Sequence, residues 1–302
     1  MKKQCCLWLI GVLLWIPFQF VEARQHGRVK KEIAIQLYSV RDLINGVNQQ
    51  GKASEVYLQT LKKLADMGYT AIEAAYYGEG KFYGRTPSDF KRDIEGAGMK
   101  VLSSHCSRAL NAEELKSGDL SEALAWWDQC IADHREAGMS YIIFPYLEVP
   151  KTVKDLELYC TYFNEIGKRC KAAGLSFGYH NHAHEFQKVE GREVMMDYLL
   201  QHTDPRYVCF EMDVYWVVRG QQSPVDYFHK YPGRFKMLHL KDHREIGQSG
   251  MVGYDAIFRN ADVAGVKNIV AEIESYSTSD VLKSVRESID YLLDAPFIKP
   301  AY

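Results

Sequence analysis

Apolar runs of strand length alternate along this chain with longer amphipathic stretches, and a glycine separates the two at five places. These five junctions read MGYTAIEA at Met67, AGMKVLSS at Ala97, AGMSYIIF at Ala137, AGLSFGYH at Ala173 and AGVKNIVAE at Ala264. A glycine in the left-handed conformation commonly ends a helix, and a buried parallel strand is apolar along its length. Each junction therefore predicts a helix followed by a buried parallel strand.

Three further apolar segments bring the number of predicted strands to eight. TDPRYVCFEMD at Thr203 and YPGRFKMLHLKD at Tyr231 follow turns that contain proline, and IAIQLYSV at Ile33 comes first. The segments between strands carry apolar residues at intervals of three and four, as amphipathic helices do. One such stripe consists of Leu156, Tyr159, Phe163, Ile166 and Cys170. Eight strands alternating with helices over about 270 residues predict an α/β fold, a single-domain (β/α)8 TIM barrel.

An open, doubly wound parallel sheet is the alternative fold. A sheet of that kind commonly binds a dinucleotide at a GxGxxG turn before its first helix, and the sequence has no such motif. The barrel is therefore favoured.

The N-terminus has the order of a secretory signal. Lys2 and Lys3 precede the apolar run LWLIGVLLWIPF, and VEA ends at Ala23. We expect residues 1–23 to be a cleaved signal peptide, residues 24–302 to form the barrel, and the protein to be secreted or periplasmic. The apolar run is short for a membrane span, so an uncleaved anchor is the alternative and stable membrane insertion is not expected.

Composition narrows the partners and the chemistry. The chain has 302 residues, a formal net charge of −2 and no block of basic residues, which argues against nucleic acid and for a small molecule. The five cysteines after residue 23 are odd in number and form no CxxC pair, so neither a disulfide framework nor a zinc knot is indicated, although the expected compartment would permit disulfides. Most of these cysteines are expected to be buried as small apolar residues. The oligomeric state stays open, and a homo-oligomer is one possibility.

Four consecutive predicted strands, the fifth to the eighth, end in ionisable residues. These residues are His180 and His182 with Asn181 between them, Asp213, His239 with Lys241 and Asp242, and Glu272 with Glu274. In a barrel the carboxyl ends of all strands meet at one mouth, and residues two apart point to the same face. Imidazoles and carboxylates from different strands are the donors of an open divalent-metal site.

Each of these residues also has a structural interpretation. A single histidine at a strand end is often only hydrogen-bonded, Asp213 could cap the next helix, and Glu272 could pair with Lys241 inside the barrel. The coincidence of four adjacent strands favours the metal site.

The motifs GYHNHAHEF, MDVYWV, LHLKD and VAEIESY together resemble the sugar phosphate isomerase/epimerase family, whose members have the xylose isomerase-like barrel. The resemblance runs from about Lys31 to Leu293 and includes IAIQLYSVRD, YTAIEAAYYG and SSHCS. It implies one divalent metal ion held by one residue from each of strands five to eight. Matching strand by strand gives the ligands His180, Asp213, His239 and Glu274. Glu272 is the alternative to Glu274, and His180 replaces the glutamate that is usual in the family.

This replacement affects the expected chemistry. Family epimerases use two ligand glutamates to exchange a proton on opposite faces of the substrate carbon, and here the first is absent. Two imidazoles among the ligands favour Mn, Co or Zn over Mg. We therefore expect one-base proton abstraction next to a carbonyl, leading to isomerisation or epimerisation, or to loss of a β-leaving group in a lyase. Export favours an unphosphorylated sugar or keto-sugar derivative, such as a keto-glycoside, as substrate.

The remaining roles are predicted from the position of each residue at or near a strand end and, for Trp216, from the same resemblance. Glu274 is the candidate general base as well as a ligand, His182 the candidate for orienting or relaying the proton of a hydroxyl group, and Lys241 the candidate for stabilising enediolate charge. The candidate substrate-binding residues are Glu73, His105, Asn181 and Trp216. Two other classes of protein remain as alternatives: a non-catalytic sugar-binding barrel and a metal-dependent endonuclease. The charge and the signal peptide argue against the endonuclease.

Overall fold

Eight parallel strands close into one barrel in the computed structural model, which describes residues 30–44 and 52–302. The strands are β1 (Ala34–Gln36), β2 (Ala71–Ala74), β3 (Lys100–His105), β4 (Tyr141–Phe144), β5 (Ser176–His180), β6 (Val208–Asp213), β7 (Phe235–Lys241) and β8 (Asn268–Glu272). Each strand pairs with its neighbours in chain order, and β8 pairs with β1. The predicted (β/α)8 barrel is confirmed, and the open-sheet alternative is wrong.

Helices connect the strands around the outside of the barrel. The α-helices are α1 (Glu55–Met67), α2 (Pro87–Gly96), α3 (Ala112–Ser117), α4 (Ser121–Glu136), α5 (Val153–Ala172), α6 (Met195–His202), α7 (Val214–Arg219), α8 (Pro224–Lys230), α9 (Tyr254–Arg259), α10 (Ala261–Ala264) and α11 (Val281–Asp294). Two 3₁₀ segments, Leu37–Leu43 and His184–Phe186, follow β1 and β5. A short antiparallel hairpin pairs Lys188–Val189 with Glu193–Val194.

The glycines at the five predicted junctions have positive φ angles. They are Gly68 at 112°, Gly98 at 94°, Gly138 at 78°, Gly174 at 82° and Gly265 at 83°. The apolar stripe of α5 is buried as predicted. The local rule for helix ends therefore holds at every junction where the sequence indicated it.

The first strand is shorter than the apolar run IAIQLYSV suggested. The strand ends at Gln36, whose side-chain oxygen accepts a hydrogen bond from the backbone N–H of Tyr38 at 3.1 Å. The chain then turns into the 3₁₀ segment Leu37–Leu43. A local side-chain acceptor thus ends the ladder before the apolar run does.

The barrel interior is apolar at the amino ends of the strands and polar at the carboxyl ends. A small apolar cluster fills the lower interior, formed by Ala34, Ala71, Ile143, Met237 and Val270. A much larger cluster lies between the barrel wall and the helices. The apolar core thus supports a polar layer at the mouth.

The predicted signal peptide, residues 1–23, lies outside the described residues. Within residues 30–44 and 52–302, no helix has both the length and the apolar character needed to cross a membrane.

Candidate active site at the carboxyl ends of the strands

Side-chain alternation sets the polar layer directly above the apolar one. Gln36 and Glu73 lie two residues after interior alanines on β1 and β2, His239 two residues after interior Met237, and Glu272 two residues after interior Val270. Residues two apart on a strand share a face, so these side chains enter the barrel.

The polar layer has an upper group of three side chains, which are Asp213, His239 and Glu272. Nδ1 of His239 lies 3.7 Å from Oδ2 of Asp213 and 3.3 Å from Oε2 of Glu272. All three residues are buried, and the His239 Nδ1 and Asp213 Oδ2 atoms have no hydrogen-bond partner. The other Asp213 oxygen accepts the backbone N–H of Trp216 at 2.8 Å, which fixes the carboxylate at the start of α7.

The donor set suits a divalent metal ion. Two carboxylates and one imidazole place one ligand atom each within 4.8 Å of one another. Buried polar atoms without partners are costly, and a bound cation would satisfy those of Asp213 and His239 together. Three protein ligands would leave coordination positions open for substrate.

A second group of side chains lies beside this one and shares His239. The Glu211 Oε2 atom is 3.0 Å from Nε2 of His105, 3.1 Å from Nδ1 of His180 and 4.0 Å from Nε2 of His239. These four residues are also close enough to hold a cation together. The structure thus places His180 in this group, while Asp213 belongs to the upper one.

Glu73 links the two groups from below. Its Oε1 atom lies 3.0 Å from Nε2 of both His105 and His239 and accepts the Gln36 amide at 2.9 Å. Its Oε2 atom accepts the Ser103 hydroxyl at 2.6 Å. Glu73 is fully buried, so the structure places this predicted substrate-binding residue beneath the mouth, in contact with other side chains.

Burial and neighbouring charges have opposite effects on the pKa values of the network formed by Glu73, His105, Glu211 and His239. Burial would raise the pKa of Glu73, but His105 and His239 outweigh it and hold that pKa well below its usual range. Burial would likewise lower the pKa of His105, but Glu73 and Glu211 raise it to about 10. Burial, followed by the nearby Glu73 carboxylate, raises the pKa of Glu211 to about 7. Glu211 is therefore the carboxyl group of this network that most readily takes up a proton.

Lys241 separates Glu272 from Glu274. Its Nζ atom lies 3.2 Å from Oε2 of Glu272 and 2.5 Å from Oε2 of Glu274. The Glu272 side chain is 7% exposed and the Glu274 side chain 34%. The structure therefore brings Glu272, and not Glu274, into the group with Asp213 and His239, and it leaves Glu274 at the mouth.

His182 and Trp216 border the open side of the cluster. Their rings lie 5.5 Å apart, and the Lys241 ammonium lies 5.5 Å from the centre of the indole. Both residues line a cavity of about 600 Å³, together with His184, Phe186, Gln187, Arg219 and neighbouring residues. The His182 Nδ1 and Trp216 Nε1 atoms are buried without hydrogen-bond partners. Burial, followed by His184, lowers the pKa of His182 to about 4, so this imidazole is neutral.

Asn181 has a structural part in the site. Its side-chain oxygen accepts the backbone N–H of Asp213 at 3.1 Å, and its amide nitrogen donates to the Asp213 carbonyl at 3.4 Å. These bonds join the ends of β5 and β6. Asn181, a predicted substrate-binding residue, is fully buried, and its hydrogen bonds hold the backbone of Asp213 in place.

Glu211 is a residue of the site that was not predicted from the sequence. It precedes Asp213 by two positions on β6, so alternation alone places both on the interior face. The β6–β7 register shifts between Phe210 and Glu211, and the β2–β3 register shifts between Ile72 and Glu73. Such irregularities redirect side chains near active sites, and here both occur at a carboxylate of the network.

Comparison with known proteins gives consistent relatives. Residues 61–295 match the family model described as xylose isomerase-like TIM barrel. A crystal structure of a sugar phosphate isomerase/epimerase from Parabacteroides distasonis ATCC 8503 is 34% identical, with a TM-score of 0.79 over 89% of this chain and 100% of that chain.

Two more distant relatives carry named chemistry. An inosose dehydratase from Geobacillus kaustophilus (strain HTA426) is 24% identical over 202 residues, 62% of this chain and 62% of the dehydratase. The IolI protein, whose crystal structure has a binding zinc atom, shares the fold with a TM-score of 0.64 at 11% identity, over 90% of this chain and 99% of that chain.

Proposed function

Because this chain belongs to the family of xylose isomerase-like TIM barrels, which includes sugar phosphate isomerases/epimerases, we propose that it is a divalent-metal-dependent enzyme acting on an unphosphorylated sugar or keto-sugar derivative. The reaction is removal of a proton next to a carbonyl group. The observation that carries the proposal is the pair of unpartnered buried atoms, Asp213 Oδ2 and His239 Nδ1, which face each other beside Glu272.

Asp213, His239 and Glu272 would hold the metal ion. This set has one imidazole instead of the two expected from the sequence, and its two carboxylates make Mn the best fit among the expected Mn, Co and Zn ions. When bound, such an ion polarises a carbonyl oxygen and stabilises the negative charge that develops on it. His180 would support the ligands from the neighbouring group, since its Nδ1 atom is turned to Glu211.

The chain's own residues supply the proton chemistry. Glu274 is at the mouth and partly exposed, so its carboxylate can reach the substrate as general base. The Lys241 ammonium, held beside the cluster by Glu272, would stabilise negative charge on a substrate oxygen. The unpartnered His182 and Trp216 nitrogens would bind or relay protons of substrate hydroxyl groups.

Elimination is the second candidate reaction, and one observation favours it. Epimerisation by two bases needs a carboxylate on the opposite face, and β5 ends in His180. The next carboxylate along the chain, Glu185, is buried and accepts the Tyr179 hydroxyl at 2.9 Å and the His182 backbone N–H at 2.8 Å. One-base chemistry suits isomerisation or loss of a β-leaving group, and the similarity to an inosose dehydratase supports the latter.

Metal analysis combined with solvent-deuterium exchange tests the proposal. The wild type, His239→Ala and the control His229→Ala would be compared, because His229 is an exposed residue bonded to Asn260 on the outer helices. We expect stoichiometric metal, and deuterium incorporation into keto-sugars, in the wild type and the control only. Metal without exchange would favour the non-catalytic sugar-binding barrel, and the absence of metal from all three proteins would refute the site.

We also propose that the protein is exported and loses residues 1–23. Sequencing the N-terminus of the mature protein from producing cells would test this. A start at Arg24 is expected, whereas retention of Met1 would contradict cleavage.

A further inference from the structure

Two cysteine thiols touch each other behind the active site. Cys106 directly follows His105 at the end of β3, and Cys130 lies on α4. Their sulfur atoms are 3.4 Å apart, and the residues are 5% and 1% exposed. Twenty-four positions separate them along the chain.

Both cysteines are held in place by the surrounding structure. The backbone N–H of Cys106 donates to the Ile143 carbonyl at 2.9 Å, so it continues the pairing of β3 with β4. On α4, the Trp127 indole donates to the Tyr162 hydroxyl at 2.6 Å, which anchors the helix against α5. Hydrogen-bonded elements on both sides therefore bring the two sulfur atoms together.

His134 lies next to the pair and raises the question of a metal site, since the three residues form a group of possible ligands. Its Nδ1 atom is 3.4 Å from the Cys130 sulfur and 2.7 Å from the Cys130 carbonyl oxygen. A carbonyl oxygen can only accept, so Nδ1 must carry a hydrogen and has no lone pair for a metal. The ring nitrogen that lies beside the Cys130 sulfur is therefore unavailable to a metal ion, and the direct contact in this group is the one between the two thiols.

We propose that Cys106 and Cys130 form a disulfide bond when the chain folds in an oxidising compartment. The two thiols lose two protons and two electrons to a small-molecule or protein disulfide, which is reduced to two thiols. The new bond requires the sulfur atoms to approach by about 1.4 Å, since a disulfide is about 2.05 Å long. Burial raises the pKa of the Cys130 thiol in the folded protein, so the bond forms while the thiols are still exposed during folding.

The bond would tie the active site to the helical layer. It would link the residue after His105, whose imidazole contacts Glu73 and Glu211, to α4. A covalent link across this loop reduces the number of conformations open to the unfolded chain and thereby stabilises the fold. The link would also restrict movement of the β3 end beneath the candidate metal site.

Refolding in a glutathione redox buffer, followed by peptide mapping, tests the proposal. The denatured, reduced mature chain, residues 24–302, would be refolded with oxidised and reduced glutathione, alkylated under denaturing conditions and digested. We expect one cross-linked peptide pair that joins Cys106 to Cys130 and disappears after reduction. Reduction should also lower the Tm by about 5–10 °C.

A matched pair of variants separates this bond from general effects of losing a thiol. Cys130→Ala should lose both the cross-link and the sensitivity of Tm to reduction, whereas Cys160→Ala, which removes another buried cysteine from α5, should keep both. Alkylation of Cys106 and Cys130 in the refolded wild type would overturn the proposal. So would a cross-link between other cysteines, or protection that a chelator abolishes. The wild-type map alone decides the matter if a variant fails to fold.

Discussion

Glu272 and Glu274 offer a sharp test of the site because both contact Lys241 while one of them joins the cluster. Glu272 lies 3.3 Å from His239 Nδ1 and is buried, whereas Glu274 is one-third exposed and lies outside the group of possible ligands. Replacing each by glutamine keeps the size of the side chain and removes its charge. We expect the two variants to differ strongly in metal affinity.

The structure sets the size of the difference. Removing one partner from a buried charge pair costs about 3–5 kcal/mol, because the remaining charge is left without compensation. A cost of about 1.4 kcal/mol weakens binding tenfold, so Glu272→Gln should weaken metal binding by roughly two to nearly four powers of ten. An ion pair with an exposed partner is worth at most about 1 kcal/mol, so Glu274→Gln should change the affinity by about fivefold or less.

Competition titration against a chromogenic chelator would measure both affinities, with circular dichroism as the check on folding. Lys241 keeps one carboxylate partner in either variant, so both proteins should fold. The reasoning would be refuted if Glu274→Gln released the metal while Glu272→Gln retained it. Loss of deuterium exchange in Glu274→Gln with metal still bound would instead support Glu274 as the general base.

Three further predictions concern stability. Gly167→Ala on α5 should destabilise the fold by about 1–3 kcal/mol, because the new Cβ would lie 2.3 Å from the Tyr207 carbonyl oxygen. The control Gly96→Ala on α2 places its Cβ more than 4 Å from any such atom and should stabilise the fold by up to about 1 kcal/mol, and urea unfolding would measure both changes. Burial lowers the pKa of His134 to about 4, so between about pH 6.5 and pH 4 the unfolded chain binds a proton that the folded chain does not. As the pH falls through this range, the free energy of unfolding should decrease by up to about 3 kcal/mol more in the wild type than in His134→Gln, and equal decreases would contradict this. Adding Mn²⁺ or Zn²⁺ to metal-free protein at about 100 times its Kd should raise Tm by about 5–10 °C in calorimetry, and no shift would argue against the site.

The fold could be predicted because local signals and the global pattern agree. Each of the five glycine junctions marks both the end of a helix and the start of a buried strand. Together with the three other apolar segments these junctions give eight strands, which leave few arrangements. The interior position of His239 and Lys241 follows from alternation along β7 alone. These predictions needed no knowledge of which strands pair.

The choice between Glu272 and Glu274 could not be made in the same way. Alternation places both on one face only while the strand continues, and β8 ends at Glu272. Beyond that residue the direction of a side chain depends on the loop, whose backbone is held by Arg41 through a bond to the Glu274 carbonyl at 3.2 Å. Sequence spacing carries no information about that contact.

The complete burial of Glu73 and Glu211 could not be predicted from the sequence either. Both follow a register shift between neighbouring strands, and such a shift is decided by packing across the ladder. The substrate-binding role predicted for Glu73 required its side chain to reach the mouth of the barrel. The structure instead encloses this carboxylate among Gln36, Ser103 and two histidines.

The two groups of polar side chains share the imidazole of His239, and this suggests a role for the neighbouring Glu73. In a neutral histidine only one ring nitrogen carries a hydrogen. For Nδ1 of His239 to bind a cation together with Asp213 and Glu272, that hydrogen must therefore be on Nε2. The atom that faces Nε2 at 3.0 Å is Oε1 of Glu73, a carboxylate whose pKa lies well below its usual range and which therefore accepts that hydrogen. Metal-binding histidines commonly donate their second N–H to a carboxylate in this way. If His239 binds the proposed metal ion, Glu73 would be a positioning residue that fixes the tautomer of His239, and this role would account for a fully buried glutamate beneath the mouth of the barrel.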